Sequence, residues 1–183
     1  MNRVAYLLLL PLLAASGVTP RPTPGPEPGT SALLDAERHA VSLRPVRWSV
    51  VGGAAARQVV SGRTIPITVQ ADIAKGWHIY SLTQRSGGPI PLRIDLIGAA
   101  DVTVRGVVKA PKPERQFDKN FGIETELYSG SPRFTIPLGV PGRSVSGIRK
   151  LQIGARYQVC SDKLCLPPRT DTLGVALRIA RRQ

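Results

Sequence analysis

The chain has 183 residues, of which 42% are hydrophobic, 20% charged and 5% aromatic, with a formal net charge of +13 from 25 basic and 12 acidic side chains. That length holds one ordinary domain plus processing sequence, and that apolar fraction excludes a wholly disordered chain. Its 18 glycines and 17 prolines argue against a helical bundle, and its two cysteines exclude both a disulfide-dense scaffold and a four-cysteine zinc module.

Arg3 and the apolar run from Val4 to Ala15, closed by small residues through Gly17, read as a cleavable export signal over residues 1–17. The run is too short to span a bilayer core, which takes roughly 20 helical residues. No cysteine lies near the cleavage region, so lipid attachment there is not expected. Periplasmic export follows, into a compartment where disulfides persist. Residues 18–40 read as a proline-rich linker and poorly ordered lead-in: VTPRPTPGPEPG cannot hold a helix, and Ser31–Ala40 has room for a helical turn or two.

From 41 to 180 the pattern is that of one β domain. Val46–Val51 alternates, with Trp48 and Val50 on one face, and Thr64–Ile73 repeats Ile65, Ile67, Val69 and Ala71 at period two. Trp77–Leu82, Leu92–Leu96, Val102–Val108, Arg133–Val140, Leu151–Val159 and Thr172–Ile179 complete eight expected strands, separated by Gly-Gly, Pro-Gly and Pro-Pro punctuation. Short strands without long helices between them predict an all-β antiparallel sandwich. Pro111–Gly130 breaks the rhythm and reads as a long polar loop carrying Phe117, Phe121 and Tyr128, either packed onto something or a plain surface excursion.

The positive charge is mostly arginine spread over strands and turns. It contains no basic run with interleaved aromatics and no zinc-finger pattern, so no nucleic-acid partner is expected. Cys160 ends one strand pattern and Cys165 opens the passage to the last, with SDKL between them. A hairpin-type turn there places the flanking Cα atoms about 4.5 to 5.5 Å apart, within reach of a disulfide. Closing a loop of about six residues stabilises by only about 2 kcal/mol, so a structural brace and a redox centre both stay open. His39 and His78, far apart and not at ligand spacing from the cysteines, support neither a metal site nor a cofactor.

The stretch YQVCSDKLCLPP resembles the signature of the amino-terminal periplasmic domain of the thiol:disulfide interchange protein DsbD. GWHIYS at Gly76–Ser81 resembles that family's Gly-aromatic-x-x-Tyr strand, and FDKNFGIETELYSG followed by FTIPL resembles its cap loop and next strand. The likeness runs in consistent order from about Val46 to Ile179. It implies an immunoglobulin-like sandwich with a cap loop over a redox disulfide. By position, Cys160 and Cys165 match the redox pair, Phe121 the shielding phenylalanine and Tyr80 a tyrosine beside the site. His78 takes the aromatic position two before Tyr80, and Asp118 stands one step before the family's acidic positions, here Lys119 and Asn120.

The implied function is thiol–disulfide exchange, passing electrons from a thioredoxin-like domain to periplasmic disulfide proteins that serve disulfide isomerisation and cytochrome c maturation. The chain ends at Gln183 without a multi-span or thioredoxin-like segment, so a donor in another polypeptide and a monomeric carrier are expected. Whether the chain is itself a protein-disulfide reductase stays open. The alternative is an exported binding module whose disulfide only braces the sandwich.

Overall fold

The computed structural model describes residues 44–53, 56–98 and 101–182. The export signal, the linker, the helical turns of Ser31–Ala40 and His39 lie outside the described residues. Twelve strands occur: β1 (Val46–Val50), β2 (Arg57–Val60), β3 (Thr64–Ile73), β4 (Trp77–Tyr80), β5 (Arg93–Ile97), β6 (Thr103–Val104), β7 (Glu114–Asp118), β8 (Ile123–Tyr128), β9 (Arg133–Gly139), β10 (Gly147–Tyr157), β11 (Val159–Ser161) and β12 (Arg169–Ala180).

They form three four-stranded sheets, ordered β1-β3-β9-β6, β2-β12-β10-β5 and β11-β4-β8-β7. The first two face each other across a single core. Period-two alternation places Ile67, Val69, Ala71, Phe134, Ile136 and Leu138 of one sheet against Leu151, Ile153, Tyr157, Val175 and Leu177 of the other. Trp48 packs between them, its ring 5.7 Å from Phe134 and 5.8 Å from Tyr157. Among the described residues no helix is long and apolar enough to cross a membrane. This is the antiparallel sandwich that the alternation predicts, in the immunoglobulin-like form that the resemblance implies, with Cys160 on a strand of the third sheet and Cys165 bridged to it.

Two inner strands carry prolines, Pro66 and Pro137, which face each other in the β3–β9 register. Pro137 turns its carbonyl to the Arg105 amide at 2.7 Å, away from β3, so the proline pair falls where no ladder bond is exchanged.

Several sequence expectations change. Pro111–Gly130 is not a loop: it contains the β7–β8 hairpin, paired from Glu114↔Leu127 to Asp118↔Ile123. Four consecutive β7 residues, Glu114 to Phe117, are exposed, so this hairpin has no apolar alternation to read. β2 was not expected; it is four residues long and pairs with β12 in parallel, the exception in otherwise antiparallel sheets. The strand expected over Val102–Val108 shrinks to Thr103–Val104, followed by a single bridge from Lys109 to Thr135. The strand expected to end at Val159 breaks at Gln158. There the chain leaves β12 and crosses to β4, and the Gln158 side-chain carbonyl accepts the Ile90 amide at 3.1 Å.

Candidate functional site

The third sheet assembles the site from two local turns and one distant hairpin. Gly76, at φ 80°, closes the turn that begins β4, and the Trp77 amide donates to the Ala74 carbonyl at 3.0 Å. On β4, His78 and Tyr80 are two apart and share a face, while Ile79 points into the core. Antiparallel β11 then sets Cys160 directly opposite His78. Directly opposed residues project on the same side of a sheet, with Cβ atoms about 4.5–5.5 Å apart.

Beyond Cys160 the chain reverses. The Ser161 amide donates to the Leu164 carbonyl at 2.9 Å, and the Leu166 amide donates to the Val159 carbonyl at 2.9 Å. Cys160 and Cys165 are the pair between those two bonded pairs. This non-bonded position brings strands closest, and the Cα atoms lie 4.1 Å apart with the disulfide closed. Cys160 is fully buried, whereas Cys165 is half-buried.

The β7–β8 hairpin reaches over the same face. Asp118, 5% exposed, ends β7. One of its carboxylate oxygens accepts the Tyr80 hydroxyl at 2.6 Å, and the other accepts the backbone amides of Asn120 at 2.8 Å and Phe121 at 3.3 Å. One side chain therefore shapes the hairpin tip and ties it to β4. Gly122, at φ 68°, completes the turn, its amide donating to the Asp118 carbonyl at 2.7 Å. The Phe121 ring stands edge-on to Tyr80 with centroids 6.0 Å apart, and His78 stands edge-on to Tyr80 at 5.2 Å. The Asn120 side-chain amide donates to the Ser161 carbonyl at 2.9 Å and so links the hairpin tip to the cysteine turn.

Burial sets the electrostatics. Desolvation, then the Asp118 hydrogen bond and charge, push the Tyr80 phenol far above its ordinary range, so it remains a donor. Desolvation pulls His78 below the usual imidazole value, against the opposing pull of Asp118 and Asp162. At neutral pH His78 is uncharged, and its 3.7 Å approach to Asp118 is not an ion pair. A small cleft of about 50 Å³ beside these groups is lined by His78, Phe117, Asp118, Lys119, Asn120 and Asp162.

The structure thus brings together all six residues singled out in the sequence: Cys160, Cys165, Phe121, Tyr80, His78 and Asp118. Sequence reasoning missed the link made by Asn120 and the anchors behind the site. Gln84 accepts the Glu126 amide at 2.8 Å, and Thr83 donates to the Glu126 carboxylate at 2.6 Å. Gln158 stands in the YQVC motif, but nothing in that motif points to its distant partner Ile90. Among the described residues no group of three or more His, Cys, Asp or Glu could hold a metal ion.

The family model described as "Thiol:disulfide interchange protein DsbD, N-terminal" matches residues 49–177. The chain belongs to that family. No curated protein sequence matches the chain.

Among solved structures, the N-terminal periplasmic domain of ScsB from Proteus mirabilis is 21% identical with a TM-score of 0.50, covering 71% of this chain and 44% of its own. This chain therefore spans less than half the length of that one. The reduced DsbD N-terminal domain of Neisseria meningitidis is 18% identical with a TM-score of 0.43, covering 61% of this chain and 77% of its own. At these identities the structures speak for the fold alone. Family membership, together with the closed Cys160–Cys165 bond, supports a general role in thiol–disulfide exchange.

Proposed function

We propose that this domain is a periplasmic electron carrier that cycles through the Cys160–Cys165 disulfide. The carrying observation is the asymmetry of the pair, with one sulfur-bearing residue fully buried and the other half-buried at the turn. A thiolate of a donor, a thioredoxin-like domain or a membrane electron carrier in another chain, attacks the Cys165 sulfur, and Cys160 leaves as a thiolate. The donor's second thiolate then attacks its own sulfur in the mixed disulfide, which releases the reduced domain and leaves the donor oxidised. In the forward half, the Cys165 thiolate attacks the disulfide of an acceptor protein. Cys160 then attacks the Cys165 sulfur, reforming the domain's disulfide and leaving the acceptor as a dithiol.

Phe121, Asp118, Tyr80 and His78 shield and support the pair in this reading, and the protein acts as a monomer. Periplasmic location is supported by the export-type N-terminus and by the family. Cytochrome c maturation and disulfide isomerisation are the downstream uses that the family resemblance favours.

Trapping tests the reading. Cys160→Ala should accumulate mixed disulfides through Cys165, and Cys165→Ala should accumulate few. A reversed pattern would overturn the division of labour. If neither variant traps a partner and the bond's reduction potential lies well below about −300 mV, the disulfide is a structural brace.

A further inference from the structure

Cys160 has a difficult task in the forward half of the cycle. It must attack as a thiolate, yet it is fully buried, with Val159 1% exposed beside it and a buried carboxylate, Asp118, on the same face of the third sheet. Apolar burial and a nearby negative charge both favour the neutral thiol, which is a poor nucleophile. The register places an imidazole immediately opposite it, since His78 is the direct cross-strand partner of Cys160.

The hydrogen bonds around His78 also decide its tautomer. Tyr80 has one hydroxyl proton and gives it to Asp118 at 2.6 Å. The 3.3 Å contact between Tyr80 and His78 therefore requires Nε2–H to donate, which leaves Nδ1 as the nitrogen with a free lone pair.

We propose that His78 takes the proton from the Cys160 thiol as Cys160 attacks the Cys165 sulfur of the mixed disulfide. This inference rests on the exchange reading above. The Cys160 S–H bond breaks and its proton passes to the imidazole. A new Cys160–Cys165 bond forms, and the acceptor sulfur leaves with the electron pair of the bond it loses. No outside oxidant is needed, because the acceptor disulfide is the species reduced.

The groups facing His78 suit this role. The imidazolium that forms lies 3.7 Å from the Asp118 carboxylate through Nε2, and Asp162 of the cysteine turn adds a second negative charge. Lys119 at the hairpin tip is the opposing cation lining the cleft, and Leu127 of β8 contributes no charge there. The depressed basicity of His78 keeps it unprotonated near neutral pH, ready to accept.

The test uses the reduced domain and an excess of the aromatic disulfide 5,5′-dithiobis(2-nitrobenzoate) in stopped flow. The first thionitrobenzoate released reports attack by Cys165, the half-buried cysteine. The second, released at a rate independent of reagent concentration, reports resolution by Cys160. His78→Gln should leave the first phase unchanged and slow the second at pH 7 by about 100-fold, the lower end of general-base effects. The deficit should narrow as pH rises above about 8.5, the ordinary thiol value, and unaided ionisation of the buried thiol begins to compete.

A slowing of the same size at every pH, or none, overturns the proposal. If His78→Gln does not fold, the wild type still decides. Its second phase should hold its rate through about pH 6.5 and below, because burial keeps the imidazole under its ordinary value, and a tenfold fall per pH unit below about 8.5 would overturn the proposal. A wild-type domain that releases no second equivalent at all fails at the exchange reading itself.

Discussion

The hairpin tip should act as a cover whose opening is set by two contacts. Asn120→Ala removes the 2.9 Å bond to the Ser161 carbonyl. An exposed neutral hydrogen bond contributes about 0.5–1.5 kcal/mol net, which raises the open population by about 2- to 12-fold. Phe121→Ala removes the edge-on contact with Tyr80 at 6.0 Å. Aromatic pairs contribute a similar amount, about 0.5–1.5 kcal/mol. If dithiothreitol reaches the disulfide only through the open form, its rate should rise by those factors. The two residues are adjacent and their amides share the Asp118 carboxylate, so the double variant should depart from the product of the single effects. The assay is pseudo-first-order reduction of the Cys160–Cys165 bond, read by thiol alkylation and mass shift. Both side chains are exposed, so melting temperature should move little. An unchanged reduction rate in both single variants would refute the covering role, and a large fall in melting temperature would make these residues part of the fold instead.

Three further outcomes follow from the packing. Because burial lowers the His78 pKa in the folded state, the unfolded chain takes up the proton first as pH falls below about 6.5. Stability should therefore decline on acidification from pH 7.5 to 5.5, and urea unfolding should show a shallower decline in His78→Gln. Tyr80→Phe deprives the buried Asp118 carboxylate of one of its three donors and should cost about 1.5–3 kcal/mol, a fall of about 4–10 °C in melting temperature by calorimetry. Phe134→Ala empties the centre of the sandwich, where the ring meets Trp48 and Tyr128. It should cost about 3–5 kcal/mol in denaturant unfolding.

The sequence alone determined the β class and most of the sandwich. β1, β3, β9, β10 and β12 each bury one face, so apolar residues recur at every second position through most of each strand and the period is visible in the chain itself. It determined the cysteine pairing too, because the four-residue turn that joins Cys160 to Cys165 is local. The β7–β8 hairpin was not legible, since it reaches out over the end of the sandwich and its first strand has no buried stripe to betray it. Nor was β2, whose four residues take their place from pairing with a strand at the far end of the chain.

The working parts of the site depended on tertiary structure in the same way. A motif could mark His78, Tyr80 and Asp118, but the Tyr80–Asp118 bond spans 38 positions and exists only once the hairpin folds over β4. Asn120 appeared in sequence only as a departure from the family's acidic pair; the fold sets its amide against the Ser161 carbonyl. The pairing of His78 with Cys160 is likewise a matter of register between β4 and β11. Periodicity reports which face a residue takes, because burial acts on each strand separately. It carries no record of which strand lies opposite, which is decided by the packing of the whole domain.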